Sequence, residues 1–325
     1  MASKRVDDVA AERPSDLPTT SLSRLPVWAA DPALVVFDDR FFLYPTTDGI
    51  EEWGATAFRA YSSIDLETWT DHGEVFRLGQ DVAWSHDRAW APAAIRDADR
   101  YVLYFTAGSE MIGAAVAASP VGPFVDIGKP LVRPGQWAGV AIDPSVFRDR
   151  DGRVYLSWGN STMHTVLLAP DLVSFDPADV VSHQPPEFCE AAFIHRRGDV
   201  YYLTWSQNDT RSPDYSVRYA TGPGPLGPWT DRGFLVRKSE ALGVVGTGHH
   251  SIVHVEATDT WVIAYHAFTP GSDGYHRAIR FDFLHHRDDG LLDEVLPVDG
   301  ARIDLTSPRL APRPFQPDKK VGKRQ

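Results

Sequence analysis

The chain has 325 residues, of which 43% are hydrophobic, so it can bury a substantial core and does not have the composition of a disordered protein. Its formal net charge of −12 argues against nucleic acid and anionic membranes as partners, because both require a basic face, whereas a neutral sugar is compatible with it. The single cysteine, Cys189, excludes an intramolecular disulfide and is interpreted as a small buried hydrophobic residue.

Both ends of the chain are predicted to lie outside the folded part. Residues 1–25 are charged and rich in Ser, Thr and Pro, which is typical of a flexible leader, and residues 313–325 form a basic tail. We expect residues 26–312 to fold as one domain. Because no apolar stretch precedes this domain, the sequence predicts no secretion signal, no membrane span and a cytoplasmic protein. A signal peptide already removed from the chain is the alternative.

Between these ends one pattern occurs five times: a short apolar strand, a charged turn, and a second strand that contains aromatic residues. The first copy runs over residues 34–44, where a short apolar run on each side of a charged turn predicts a β-hairpin. The later copies run over residues 94–105, 146–156, 193–203 and 252–265. No helical period of convincing length occurs between them.

A weaker repeat follows each of the first four hairpins and combines a turn with an aromatic residue. The four copies are Asp65–Trp69, Gly122–Phe124, Asp171–Phe175 and Gly227–Trp229. Each is predicted to end an outer strand and to place an aromatic side chain between neighbouring blades. Self-similarity at this period is typical of blade architectures, so we predict an all-β fold, a five-bladed β-propeller.

A polar or aromatic residue opens each of the five hairpins. The openings are Asp31-Pro32, Trp90-Ala91-Pro92, Asp143-Pro144, Glu190-Ala191 and His249-His250-Ser251. One Asp-Pro alone would be read as an ordinary turn. Two Asp-Pro pairs and a Glu in equivalent positions are expected to converge at one mouth of the propeller channel. Three converging carboxylates favour acid/base chemistry over a purely structural role.

These openings and the residues around them resemble the motifs of glycoside hydrolase family 43 over roughly residues 28–300. The matching segments are Ala30-Asp31-Pro32, Trp90-Ala91-Pro92, Ile142–Phe147 with Tyr155–Gly159, Glu190–Phe193 with Tyr201–Leu203, and Gly246–His249. Any one of them alone would be weak, but their order is specific. Ala191-Ala192 departs from the Gly-Pro or Ala-Pro that follows the glutamate in many members, which could alter the loop that holds Glu190.

The resemblance implies a role for each carboxylate. Asp31 would be the general base that deprotonates water, and Glu190 the general acid that protonates the leaving oxygen. Asp143 would raise the pKa of Glu190 and orient it. Glu187 is the competing candidate for the acid, but the spacing to Tyr201 favours Glu190.

The resemblance also implies residues that contact the sugar and an ion. Predicted substrate contacts are Trp53, Trp90, Trp158, His249 and Arg277. Each has an ordinary alternative: channel filling for the tryptophans, a buried hydrogen bond for the histidine and a surface ion pair for the arginine. His249 matches a histidine that in many relatives helps to hold a structural calcium ion, largely through water, although calcium prefers oxygen ligands.

The leading functional hypothesis is an exo-acting, inverting hydrolase that removes terminal furanose or pentose residues from an oligosaccharide, foremost an α-L-arabinofuranosidase. A β-D-xylosidase and a β-D-galactofuranosidase are alternatives of the same fold. A fructosyl hydrolase is disfavoured because Cys189 precedes Glu190 instead of following it. A non-catalytic carbohydrate-binding propeller would be expected to lack a carboxylate, yet all three are present. The sequence leaves the oligomeric state open.

Overall fold

The computed structural model describes residue 25 and residues 27–297, which form five antiparallel sheets arranged as the blades of a propeller. The predicted five-bladed β-propeller is thereby confirmed. The predicted domain of residues 26–312 is described as far as residue 297, and the predicted leader and tail lie outside the described residues except for Leu25. Within the described part, no helix has the length and apolar character that crossing a membrane requires.

Each blade is a sheet whose strands follow one another in sequence from the axis outward. Blade 1 contains β1 (Ala29–Phe37), β2 (Arg40–Thr47), β3 (Ala57–Ser63) and β4 (Thr70–Arg77). Blade 2 contains β5 (Trp90–Asp97), β6 (Arg100–Ala107), β7 (Met111–Ala117) and β8 (Val125–Asp126). Blade 3 contains β9 (Ser145–Arg148), β10 (Val154–Trp158), β11 (Met163–Leu167) and β12 (Val181–His183).

Blade 4 contains β13 (Glu190–Arg197), β14 (Val200–Gln207), β15 (Ser216–Gly222) and β16 (Thr230–Val236). Blade 5 contains β17 (Val245–Val255), β18 (Thr260–Phe268) and β19 (Ala278–Leu284). Three single-turn 3-10 helices lie in the connections at Glu51–Trp53, Pro177–Asp179 and Glu240–Leu242. The five hairpins predicted from the sequence are the first two strands of each blade.

The inner strands β1, β5, β9, β13 and β17 surround the axis, and each contacts the inner strand of the next blade, so the ring is closed. Residues that open these strands line one cavity, and residues that close them line a second cavity of about 430 Å³ at the other end. The repeat therefore places all five openings at the same mouth of the channel.

Apolar side chains of neighbouring blades pack against each other and form the core. At the closure between blades 5 and 1, Val262 and Phe281 share a cluster with Phe41 and Leu34. Trp69, from the weaker sequence repeat, stacks on Phe281 with ring centroids 5.5 Å apart. This contact is the predicted aromatic residue between blades, and burial of such rings stabilises the ring of blades.

Candidate active site

Every inner strand opens with one non-glycine residue in the left-handed backbone region. The φ angles are 50° at Asp31, 41° at Ala91, 58° at Asp143, 56° at Ala191 and 41° at His249. In blades 1, 2, 4 and 5 the pairing of the first two strands shifts register at this place. Such bulges redirect side chains. A left-handed non-glycine residue costs about 1–3 kcal/mol and persists only where the surrounding structure holds it, which is often at a functional site.

This repeated bulge corrects the prediction that the three carboxylates occupy one equivalent position. Asp31, Asp143 and His249 are the left-handed residues of their blades, whereas Glu190 precedes the left-handed Ala191. Across its hairpin Glu190 pairs with Ser206. The equivalent pair in blade 1 is Ala30 with Thr46, so Glu190 corresponds to Ala30 and not to Asp31. Because successive side chains along extended backbone point in different directions, Glu190 reaches the pocket from another direction than the two aspartates.

The backbone N–H of each left-handed residue is held by a side chain of the preceding blade. The pairs are Ala91 N to Thr46 Oγ1 at 2.7 Å, Asp143 N to Thr106 Oγ1 at 3.0 Å, Ala191 N to the Asp143 carboxylate, His249 N to Ser206 Oγ at 2.9 Å and Asp31 N to His266 Nδ1 at 3.3 Å. These bonds satisfy buried donors and fix each opening relative to its neighbour. Blade packing and site geometry are therefore coupled.

The openings enclose a cavity of about 210 Å³. Its walls include the three carboxylates, four of the five predicted substrate contacts and six further residues. The carboxylates are Asp31, Asp143 and Glu190, the predicted contacts are Trp53, Trp90, His249 and Arg277, and the others are Ile142, Asn160, Cys189, Asp209, Thr210 and Arg211. This volume is below the range of about 300–1,000 Å³ that is typical of pockets for drug-sized ligands. The cavity is therefore of the size that suits one sugar ring.

Asp31 is buried beside one arginine and two histidines. Its Oδ1 lies 3.2 Å from His249 Nδ1, 3.1 Å from His266 Nδ1 and 3.3 Å from Arg277 Nη1. Burial alone would raise the pKa of Asp31, but His249, Arg277 and His266 together hold it well below its usual value. Asp31 is therefore ionised at neutral pH, as a general base must be.

Arg277 is fixed by a buried ion pair with Asp48. Asp48 Oδ2 accepts hydrogen bonds from Arg277 Nε at 2.8 Å and from its backbone N at 2.9 Å, and Oδ1 accepts from Nη2 at 3.1 Å. The side chains of Asp48 and Arg277 are only 1% and 4% exposed. This pair leaves Nη1 to face Asp31 and Thr210, so the arginine reaches the pocket in one defined orientation.

Two donors orient Glu190. Tyr215 Oη donates to Oε1 at 2.7 Å, and Asn160 Nδ2 donates to Oε2 at 3.0 Å. Tyr215 can approach because residue 248 is glycine, where an added Cβ would lie 2.1 Å from the tyrosine ring. Burial and the negative charge of Asp31 raise the pKa of Glu190, although both hydrogen bonds oppose this shift.

Asp143 faces Glu190 as a second buried carboxyl group, and the nearest oxygens of the two lie within 4.8 Å of each other. Burial, Glu190 and Asp31, in that order, raise the pKa of Asp143 well above its usual value. Among the described residues, its Oδ2 has no hydrogen-bond partner. Two such neighbours cannot both be ionised easily, so the pair holds one shared proton to a higher pH than either carboxyl group would alone.

Trp158 does not line the pocket, and the predicted contact of this residue with substrate is corrected. Its side chain is 1% exposed and packs between Trp137, His164 and Phe175, with ring centroids 5.5, 5.4 and 6.0 Å away. It ends β10, whose side chains fill the core between blades 2 and 3. The tryptophan of this motif is therefore a packing residue.

The other predicted residues lie as expected. Trp53 and Trp90 line the pocket, and Trp90 Nε1 donates to the Trp53 carbonyl oxygen at 2.7 Å. Cys189 also lines it, and burial together with the nearby carboxylates raises the pKa of its thiol to about 12, so it stays protonated. Glu187 is exposed and does not line the pocket, which leaves Glu190 as the candidate acid.

Three of these side chains lie close enough together to be considered as ligands for the expected calcium ion. Asp143, Glu190 and His249 offer two carboxylates and one imidazole within 4.8 Å of one another. Calcium takes about 6–8 oxygen ligands, and both oxygens of Glu190 already accept hydrogen bonds. A cation bound there would also hold Glu190 in its ionised form. This donor set does not fit calcium.

Sequence reasoning missed the residues that hold the carboxylates in place. Asn160 and Tyr215 orient Glu190, Asp48 fixes Arg277, and His266 contacts Asp31. For His266 a signal existed, since polar residues at Thr46, Thr106, Ser206 and His266 recur in the second strand of four hairpins. No comparable signal marks Tyr215, whose role depends on a neighbouring glycine in another blade.

Comparison with known proteins agrees with this geometry. The family model for glycosyl hydrolases family 43 matches residues 23–292. The beta-D-galactofuranosidase xynD of Aspergillus niger is 31% identical over 84% of the chain and 83% of its own length. An arabinoxylan arabinofuranohydrolase of Paenibacillus polymyxa is 30% identical over 82% of the chain, which spans about half the length of that relative.

Among solved structures, the fold is similar to that of a family 43 beta-xylosidase/alpha-arabinofuranosidase from a compost microbial metagenome, in complex with xylotriose and in a calcium-free form. The TM-score is 0.72 with 27% identity, over 83% of this chain and 94% of that one. That protein binds an oligosaccharide in a fold of the same kind. The chain described here belongs to glycosyl hydrolases family 43 and is a hydrolase of glycosidic bonds.

Proposed function

We propose that this glycosidase is exo-acting and inverting, and that it removes a terminal furanose or pentose residue, foremost α-L-arabinofuranose, from an oligosaccharide. One observation carries the proposal. A pocket of about 210 Å³ contains an ionised carboxylate, Asp31, and a carboxyl pair that shares a proton, Asp143 and Glu190. Acid and base are thereby present in one site for a single sugar.

Asp31 acts as the general base. Its depressed pKa keeps it ionised, and the surrounding His249, His266 and Arg277 orient its carboxylate. It accepts a proton from the water molecule that attacks the anomeric carbon. The oxygen of that water forms the new bond while the bond to the leaving oxygen breaks.

Glu190 acts as the general acid. It opens β13 in blade 4, whereas Asp31 lies in β1 in blade 1, and these blades are not adjacent in the ring. Acid and base therefore approach the sugar from opposite sides of the channel, with water between the sugar and Asp31. The proton that Glu190 shares with Asp143 passes to the leaving oxygen as the glycosidic bond breaks.

Arg277 binds the sugar. Its guanidinium is fixed by Asp48 and lies beside Asp31, so it can donate hydrogen bonds to sugar hydroxyls next to the reacting carbon. Trp53 and Trp90 form an aromatic wall with their rings 6.4 Å apart and nearly perpendicular. Such a wall covers an apolar face of a sugar ring.

A β-D-galactofuranosidase is the second candidate, because that activity belongs to a relative whose length the chain largely spans. Terminal β-D-xylose is the third. Incubation with 4-nitrophenyl α-L-arabinofuranoside, β-D-galactofuranoside and β-D-xylopyranoside distinguishes them. Fastest hydrolysis of the arabinofuranoside supports the proposal, fastest hydrolysis of either other glycoside selects that alternative, and hydrolysis of none refutes the proposed function.

A further inference from the structure

Side chains from four of the five blades meet around Trp53 at the pocket rim and form a wall there. Trp90 opens β5 in blade 2, Trp53 comes from the β2–β3 loop of blade 1, Tyr275 from the β18–β19 loop of blade 5, and Arg211 from the β14–β15 loop of blade 4. Arg211 lies over the ring of Trp53, with its Cζ 5.6 Å from the ring centroid. A cation–π contact therefore joins two loops whose blades are not neighbours.

Each member of this wall is held in place. Asp209 accepts hydrogen bonds from Arg211 Nε at 2.7 Å and Nη2 at 2.6 Å, which fixes the plane of the guanidinium. The Tyr275 ring lies 4.7 Å from that of Trp53 on the blade 5 side. Gly274 lets the β18–β19 loop approach the β14–β15 loop, since a Cβ at residue 274 would lie 3.0 Å from Arg211 Cα. The contact between Arg211 and Trp53 is thus held in place by its neighbours at the rim.

Blade 3 contributes to the pocket differently, through Ile142, Asp143 and Asn160. Asn160 donates to Glu190, so the acid is positioned next to the blade 3 side. The leaving group must lie beside the acid that protonates it. It therefore departs on the side of blades 3 and 4, and the far end of the sugar faces blades 1 and 5, where Arg211 reaches over Trp53.

We propose that the Arg211–Trp53 contact closes the pocket behind the terminal sugar and so restricts the enzyme to chain ends. The inference rests on the proposed function and identifies the residues that determine its exo specificity. A further sugar or substituent on the hydroxyl farthest from the anomeric carbon would collide with this contact. With the contact removed, the same substituent would extend across the rim between blades 1 and 4.

The test compares 4-nitrophenyl α-L-arabinofuranoside with its 5-O-methyl derivative, because O5 is the hydroxyl farthest from the anomeric carbon. Should the wild type prefer another glycoside, that glycoside and its derivative methylated at the corresponding hydroxyl are used. For the wild type we expect kcat/KM to be about 100-fold lower on the methylated compound, within the range of about 10–200-fold that one misfitting group produces. In Arg211→Ala and Trp53→Ala this ratio should fall at least about tenfold.

Arg153→Ala is the matched control. Arg153 pairs with Asp151 two residues earlier and lies over the Tyr155 ring at 5.9 Å, the same arrangement as Arg211, but in the β9–β10 turn at the opposite mouth. Its ratio should equal that of the wild type. Arg211→Lys keeps the charge but not the planar stack, so an intermediate ratio is expected.

The possible failures are distinct. If the wild type hydrolyses no glycoside, the proposed function is wrong and the inference falls with it. If the wild type hydrolyses both compounds equally well, or if Arg211→Ala and Trp53→Ala keep the wild-type ratio, the enzyme is a glycosidase whose pocket is not closed by this contact. Melting temperatures of all variants separate a change at the rim from a loss of folding.

Discussion

Replacing Asp143 by Asn should move the alkaline limb of the kcat/KM profile to lower pH. In the proposed mechanism activity requires the shared proton on Glu190, and a second carboxyl group within 4.8 Å makes that proton harder to remove by charge repulsion. The amide has the same shape but no charge. Glu190 should therefore lose its proton at a lower pH than in the wild type.

The size of the shift follows from the separation. Two unit charges 4.8 Å apart interact by about 3.5 kcal/mol at an effective dielectric constant of about 20. This energy corresponds to about 2.5 pKa units, since one unit equals about 1.4 kcal/mol. The charge of each carboxylate is spread over two oxygens, so the mean separation of the charges is larger than that of the nearest atoms. We therefore expect the alkaline limb to move by about 1–2.5 pH units.

The assay is kcat/KM for a 4-nitrophenyl glycoside measured across the acidic and neutral range. The control is Asp149→Asn, a buried carboxylate in the β9–β10 turn that accepts hydrogen bonds from Tyr201 Oη at 2.7 Å and Arg196 Nη1 at 3.1 Å. That variant should keep the wild-type limb even if its stability falls. An unchanged or upward-shifted limb in Asp143→Asn would show that Asp143 does not supply the field at Glu190.

Three further outcomes are expected. Glu190→Gln should lose far more kcat on natural oligosaccharides, whose leaving alcohol needs a proton, than on nitrophenyl glycosides; equal losses on both would remove Glu190 from the acid role. Asp48→Asn should lower the free energy of unfolding in urea by about 3–5 kcal/mol, because the buried Arg277 loses the closer of its two carboxylate partners, and a change below about 1 kcal/mol would contradict that assignment. Exhaustive chelation with EDTA should leave kcat and the melting temperature unchanged, since the carboxylate cluster does not fit calcium; a loss that added calcium restores would establish an ion site.

The fold could be predicted from the sequence because each blade repeats the same local signals. Short apolar strands on both sides of a charged turn define the hairpins, and an aromatic such as Trp69 marks the contact with the next blade. These are short-range patterns of the kind that survive without knowledge of the tertiary structure. They also located Asp31, Asp143 and Glu190 near the axis.

The details that shape the site depend on contacts between distant parts of the chain. Arg277 and Asp48 are 229 residues apart in sequence, and Tyr215 reaches Glu190 only because Gly248 of another blade gives it space. Glu190 lies one residue before the position that Asp31 and Asp143 occupy in their blades. This offset arises at the β-bulge, which the apolar pattern of the sequence does not reveal.

Trp158 is a residue that the sequence pattern assigned to the site and that the structure places in the core. Its motif resembles a functional segment, and a tryptophan near a sugar site invites a stacking role. Its orientation is decided by the core between blades 2 and 3, where it contacts Trp137 and Phe175. A side chain at the end of a short strand can face either the pocket or the core, and only packing determines which.

The most direct test of the account is the configuration of the first sugar released. In the proposed mechanism Asp31 and Glu190 act from non-adjacent blades, so activated water should attack the anomeric carbon on the face opposite the leaving oxygen. Proton NMR during the first minutes of hydrolysis should show the anomer of opposite configuration to the substrate, before mutarotation mixes the signals. If the first product retains the configuration of the substrate, Asp31 is a nucleophile and not a general base, and the mechanism is wrong.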